Sequence, residues 1–178
     1  MDTQQDCLLQ FDRDLLSGKN ICSSRGVFVT FPSSLKKLFH MKGLGVIICH
    51  QGSFRFSLNH TAKAGESLFI PEDGEFQVLQ ESENLEVQIL IYQIEPIRDI
   101  MGNAVVTMYM YSRITPEEPC CVWTTGEENE IMKYMSLLDS ALRAEDNSFN
   151  LYEQKLLLLA LTYRICSIYN RKLVNEGQ

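Results

Sequence analysis

The sequence predicts a mainly β fold followed by helices: an antiparallel β-barrel or jelly roll with an amino-terminal arm over residues 1–114, then two α-helices within 115–178. Three observations predict it. Between Gly45 and Ile94, short apolar segments are separated by turn residues, the pattern of many short antiparallel strands. In the last third of the chain the apolar period changes, with Ile131, Tyr134, Met135, Leu138 and Leu142 recurring three and four apart. A chain of 178 residues, 45% hydrophobic and 22% charged, is also long enough to build a core without disulfides or metals.

Taken in order, residues 1–20 are polar with Leu8, Leu9, Phe11, Leu15 and Leu16 interspersed, which fits a short helix or strand laid on the barrel as well as a loosely packed terminus. Val27–Phe31 is a β-branched and aromatic run stopped by Pro32, and reads as a strand. Residues 33–41 carry Leu35, Leu38 and Phe39 beside Lys36 and Lys37, and their type is left open. Phe54-Arg55-Phe56-Ser57-Leu58-Asn59 alternates with the period of a half-buried strand. In Gly65-Glu66-Ser67-Leu68-Phe69-Ile70-Pro71-Glu72-Asp73-Gly74, two glycines bracket an apolar run that a proline ends. Val87, Ile89 and Ile91 alternate with Gln88 and Leu90; Leu90 breaks the polar phase, so this strand is expected to be covered on both faces.

Glu95-Pro96 marks a break, residues 97–111 are apolar and methionine-rich with no clear period, and residues 114–119 read as a linker. Thr125 with Glu128 is a capping-box spacing, and Asn150 with Glu153 reads as a second cap. The last helix is expected from about Leu151 to about Leu173. It carries two stripes: Leu156, Ala160, Tyr163, Ser167 and Asn170 on one face, and Leu157, Leu161, Ile165 and Ile168 on another. A helix lying on a barrel needs one apolar stripe, so the second calls for a second partner or a groove in its own domain. The stripe with small and polar members is assigned to a homodimer contact and the aliphatic one to the barrel.

Gly65, five residues, Pro71, two residues, Gly74 resembles the second cupin motif with one residue added before the second glycine, and the strand Gly45–Gly52 resembles the one bearing the first motif. The cadence Ile48-Cys49-His50-Gln51-Gly52, Phe54 to Leu58, Gly65 to Gly74, then two helices, is similar to the amino-terminal sensor domain of AraC-type transcription regulators. The resemblance implies a cupin-like barrel that binds a small-molecule effector, an arm able to fold over it, helices that carry dimerisation, and DNA contact only through two helix-turn-helix units. Only Val174–Gln178 follow the last helix, so the expectation is a fragment lacking those units.

Metal-binding cupins place His-x-His, Glu and a distant His on inward strand positions. With His50 as the first ligand, the others fall on Gly52, Phe56 and Gln77, leaving one plausible ligand of four. No metal or cofactor is therefore expected. His50, taken to share the phase of Phe54, Phe56 and Leu58, is assigned with Phe54, Phe56, Phe69 and Gln77 to an apolar effector pocket, although His50 also reads as a satisfied interior histidine and Phe56 and Phe69 as core. His40 and His60 have no neighbours suggesting a dyad, and the adjacent Cys120 and Cys121 read as inert thiols because no base lies close in sequence.

The net charge of −7 and pI near 5.0 disfavour non-specific binding to polyanionic nucleic acid. Six cysteines without a C-x-x-C pair, no basic-then-apolar leader and no membrane-length apolar run point to a reduced, cytoplasmic protein without a membrane partner. The favoured function is thus a ligand-sensing and dimerisation module, not an enzyme. A small cupin isomerase or dioxygenase is the rival, weakened by the missing ligands. A cyclic-nucleotide sensor ranks lower, because Arg55 is out of phase with the pocket and no arginine follows Gly65-Glu66.

Overall fold

In a computed structural model the described residues are 3–57, 60–98, 121–123 and 128–176, with side chains described over 3–57, 60–98 and 130–168. The arm is helical. Helix α1 (Gln4–Leu16) starts at Thr3, whose hydroxyl accepts the Asp6 N–H while the Asp6 carboxylate accepts from the Thr3 backbone and hydroxyl, a complete capping box. Phe11 and Leu15 pin it to the core, and Leu9 and Leu16 stay exposed.

Among the described residues ten strands follow: β1 (Ile21–Ser23), β2 (Phe39–His40), β3 (Leu44–Gln51), β4 (Ser53–Phe56), β5 (His60–Lys63), β6 (Ser67–Ile70), β7 (Glu75–Phe76), β8 (Val78–Glu81), β9 (Glu86–Tyr92) and β10 (Cys121–Trp123). They form a five-stranded antiparallel sheet in the order β1-β9-β3-β6-β10, a three-stranded sheet β5-β4-β8 and a ribbon β2-β7. The expected closed barrel is corrected: among the described residues the strands divide into these sheets, packed about a common core. The large sheet also draws its edge strand β10 from beyond residue 114, out of the segment read as helical.

The large sheet is a wall with two apolar sides. Ile47 and Cys49 of β3 face the core shared with the other sheets, together with Leu68, Ile70, Val87, Ile89 and Ile91. Leu44, Val46 and Ile48 face the opposite side, with Phe69, Leu90 and Tyr92. A strand buried on both faces loses its polar alternation, so the expectation drawn from Leu90 holds for β9. On the first side, Phe54 and Phe56 of β4 meet Phe31 and Phe76.

Val27–Phe31 is not a strand. Only Phe28 makes a bridge, with Val87. Beyond it the backbone is held by a side chain: the Glu81 carboxylate accepts the Phe31 N–H and the Thr30 hydroxyl and pairs with Lys36 Nζ at 2.7 Å. A carboxylate that takes the donors leaves a β-branched segment outside any ladder despite its propensity. The segment left open is a 3₁₀ turn (Ser33–Lys36), whose first backbone N–H groups Asp12 accepts, followed by β2.

In the Gly65–Gly74 motif, Gly65 has φ +85°, while the second left-handed residue is Asp73, the inserted one, at φ +62°. Asp is among the few residues that tolerate this region. The Asp73 N–H donates to the Met41 carbonyl and the Met41 N–H to the Gly74 carbonyl.

A short helix α2 (Glu95–Arg98) places Pro96 in its first turn, which suits a residue without an N–H. Helices α3 (Glu128–Arg143) and α4 (Ser148–Glu176) then cover the second side of the large sheet. The Thr125 cap and most of residues 97–119 lie outside the described residues. The start of α4 is earlier than expected: Asn147, not Asn150, accepts the Asn150 N–H at 2.9 Å. Asn150 is instead buried, donating to the Ala141 carbonyl and accepting from Gln154 Nε2. Ile131, Met135 and Leu138 of α3 are buried with Leu158, Leu161, Ile165 and Ile168 of α4.

Candidate functional site

The five residues assigned to an effector pocket do not come together. β3 turns alternate residues to opposite sides, and Cys49 takes the inward position next to His50. The His50 Nε2 instead meets Gln88 Oε1 at 2.7 Å, on the side opposite Val87 and Ile89. The expected common phase of His50 with Phe54 and Phe56 fails because an irregularity between Cys49 and Gln51 and the turn at Gly52 shift the alternation. Phe69 packs in the helix-side core. Gln77 is half-buried and donates to the Lys36 carbonyl at 3.1 Å. Phe54 and Phe56 do face the interior, where their ring centroids lie 4.7 Å from Phe31 and 5.6 Å from Phe76, respectively. Leu58 is outside the described residues.

The residues assigned to a dimer contact lie on the face of α4 turned away from the sheet, and several are exposed among the described residues. Leu156 is 58% and Tyr163 43% exposed, Ser167 is exposed and Ala160 half-buried. Phe149, at 87%, and Tyr152, at 63%, extend the stripe toward the start of α4. The side chain of Asn170 lies outside the described residues. The opposite stripe is seated on the sheet, with Leu161, Ile165 and Ile168 buried and Leu157 packed beside them. At its centre Thr162 donates to the Leu158 carbonyl at 2.7 Å and therefore accepts from the Tyr92 hydroxyl at 2.8 Å.

A cleft of about 440 Å³ lies between α1 and the Lys19–Arg25 segment. Its carboxylates are engaged. Asp14 pairs with Lys19 at 2.9 Å and accepts from Gln10, and Asp6 belongs to the capping box, where the Thr3 hydroxyl and backbone, helped by the charge of Arg13, hold its carboxyl below the usual range. The Arg13 and Arg25 side chains lining the same cleft are exposed and make no hydrogen bond or ion pair among the described residues. No sequence motif marked these two, since they lie on separate elements that only the fold brings together. Arg25 has φ +49°, and its loop is fastened to α3: the Ser23 hydroxyl donates to Asp139 at 2.5 Å, and Arg143 donates to the Arg25 carbonyl at 3.2 Å.

No family model matches the chain, and no curated protein matches it. Among the solved structures that are similar are those of one protein. They are of ToxT from Vibrio cholerae: apo ToxT K231A from strain SCE256, with TM-score 0.47 and 11% identity over 85% of this chain and 58% of that one, and the P21 form, with TM-score 0.48 and 9% identity over the same shares. ToxT from strain O395 bound to (E)-4-(8-methylnaphthalen-1-yl)but-3-enoic acid gives 0.46 and 9%, covering 82% and 55%. The chain spans a little over half the length of these ToxT chains.

Three buried or half-buried thiols offer little nucleophilic chemistry. Burial pushes Cys22 and Cys166 up to about 12 and Cys49 to about 11, so each is a protonated thiol near neutrality. Cys120 lies outside the described residues. Among the described residues no three His, Cys, Asp or Glu side chains group as a metal site, and no helix is long and apolar enough to cross a membrane.

Proposed function

We propose that this chain is the ligand-sensing and dimerisation portion of an AraC-type transcription regulator. The observation that carries the reading is the two-sided α4, with Leu161, Ile165 and Ile168 seated on the sheet while Phe149, Tyr152 and Leu156 are more than half exposed among the described residues. An uncovered aromatic and aliphatic stripe on a long helix is costly to leave exposed, and a second copy of the same stripe covers it symmetrically. The partner is a second copy of this chain, and the contact is built on Leu156, Ala160, Tyr163 and Ser167, with Asn170 assigned to it from the sequence.

The effector is a small molecule bound without metal in the apolar interior beside Phe54 and Phe56. His50, Phe69 and Gln77 stand elsewhere and act at most indirectly. Binding there would favour one packing of sheet against helices, and so one geometry of the paired helices, over another. DNA contact belongs to helix-turn-helix units of the regulator rather than to residues 1–178. The rival reading, a small metal cupin enzyme, asks for ligands where Gly52 and Phe56 stand and for an inward His50; the sequence and the side taken by His50 both weigh against it. Light scattering of the purified chain tests the proposal: twice the chain mass of 20.4 kDa is expected, and a monomer throughout the micromolar range would refute it.

A further inference from the structure

The cleft between α1 and the Lys19–Arg25 segment lies apart from the sheet interior and from the exposed face of α4. It holds two carboxylates, both engaged, and two guanidinium groups with no hydrogen-bond or ion-pair partner among the described residues. Its volume of about 440 Å³ falls in the range of small-molecule sites. Its other polar groups are committed as well: the Ser24 hydroxyl donates to the Gly26 carbonyl and accepts the Ile89 N–H, and the Ser23 hydroxyl donates to Asp139. Two planar forks lining one cleft, neither hydrogen-bonded among the described residues, suit the oxygen pairs of a carboxylate or phosphate.

The loop carrying one fork is also built at a cost. Arg25 occupies the left-handed region, which a residue with a side chain takes at about 1 kcal/mol or more. The conformation is held by the Arg25 N–H bond to the Ser23 hydroxyl and by Arg143 on the Arg25 carbonyl. Glycine would adopt it freely, so an arginine is present here for something other than the turn.

We propose that this cleft is a binding site for a small anion, a carboxylate- or phosphate-bearing metabolite engaged by Arg13 and Arg25. Binding itself does not depend on the sensor reading; only a regulatory consequence, passed through the Ser23–Asp139 and Arg25–Arg143 contacts to α3, rests on it.

Isothermal titration of the full chain with citrate and with pyrophosphate, at low ionic strength and against sodium chloride of matched ionic strength, decides the matter. The arginines are exposed and their attraction is screened by salt, so low ionic strength is where the heat is read. Saturable binding of either probe is expected: citrate alone defines a carboxylate site, pyrophosphate alone a phosphate site, and both a general anion site. Arg13→Gln and Arg25→Gly should each weaken it about tenfold, the loss of one charge-assisted contact, with Arg13→Gln melting like the parent and Arg25→Gly no lower, because glycine relieves the left-handed backbone there. No saturable heat with either probe, or equal affinity in the doubly substituted chain, overturns the proposal. Loss of binding in a chain that still dimerises removes this site alone and leaves the sensor reading standing.

Discussion

The Ser67 hydroxyl is buried opposite Ile48 and has no hydrogen-bond partner among the described residues. A buried hydroxyl left unpaired carries its full desolvation penalty, so removing it is favourable. Ser67→Ala is expected to stabilise the chain by about 1 kcal/mol and to raise the Tm by roughly 2–4 °C; a lower Tm in scanning calorimetry would mean that the oxygen has a partner in solution. The buried thiols set a different test. In the folded state Cys22 and Cys49 hold their protons to about pH 12 and 11, whereas unfolded they release them near the usual 9.0. Above pH 9 the unfolded state therefore binds fewer protons, and these groups' contribution to stability, complete below pH 9, is lost as pH rises toward 11–12. Replacing both by alanine should flatten the alkaline fall in Tm between pH 9 and 11; an unchanged slope would show the thiols to be unprotected. Single residues were the least legible part of the sequence. His50 was set in phase with Phe54 by counting in twos, and counting cannot see the irregularity at Cys49–Gln51 that breaks the count.

Elements were read better, because their signals are local and repeated. Apolar spacing placed the buried faces of α3 and α4 and assigned the aliphatic stripe to the sheet side, where Leu161, Ile165 and Ile168 lie. The start of α4 was missed because Asn147 and Asn150 are both competent caps, and only the contact with Ala141 draws Asn150 into the interior. Val27–Phe31 was misread because Glu81, fifty residues later than Phe31, takes its backbone donor. Two substitutions on α4 separate its faces. Leu161→Glu puts an unpaired carboxylate in the core, at a cost on the order of 3–5 kcal/mol, a large share of what holds a domain together; its melting temperature should fall sharply. Tyr163→Glu charges the exposed face and should melt like the parent but run as a folded monomer in light scattering. A Tyr163→Glu chain that remains dimeric would move the contact to another surface.

At the scale of the whole molecule, composition spoke to charge more clearly than to shape. The formal charge of −7 disfavours approach of the chain as a whole to a phosphate backbone. Residues 1–178 are expected to give no sequence-dependent shift of duplex DNA at protein concentrations up to about 10 µM, well above the nanomolar range of specific sites; a specific complex in a gel-shift titration at moderate salt would overturn that. The sheets were legible as many short strands with turns, but their division into three sheets was not, since closure depends on pairings between distant edges. The joining of α1 to the Ser33–Ser34 backbone through Asp12 was likewise beyond reach, because nothing in the local pattern links residues twenty apart.

The bond between the Tyr92 and Thr162 hydroxyls has a mechanical consequence. Oily surfaces resist separation but give little resistance to slippage, since one aliphatic neighbour serves nearly as well as the next. A directional bond between two hydroxyls has one seat. Set amid Leu158, Leu161 and Ile165, it fixes both how far α4 lies along the sheet and which face it turns to it. The joint is therefore a pegged one, in which helix and sheet hold a single register.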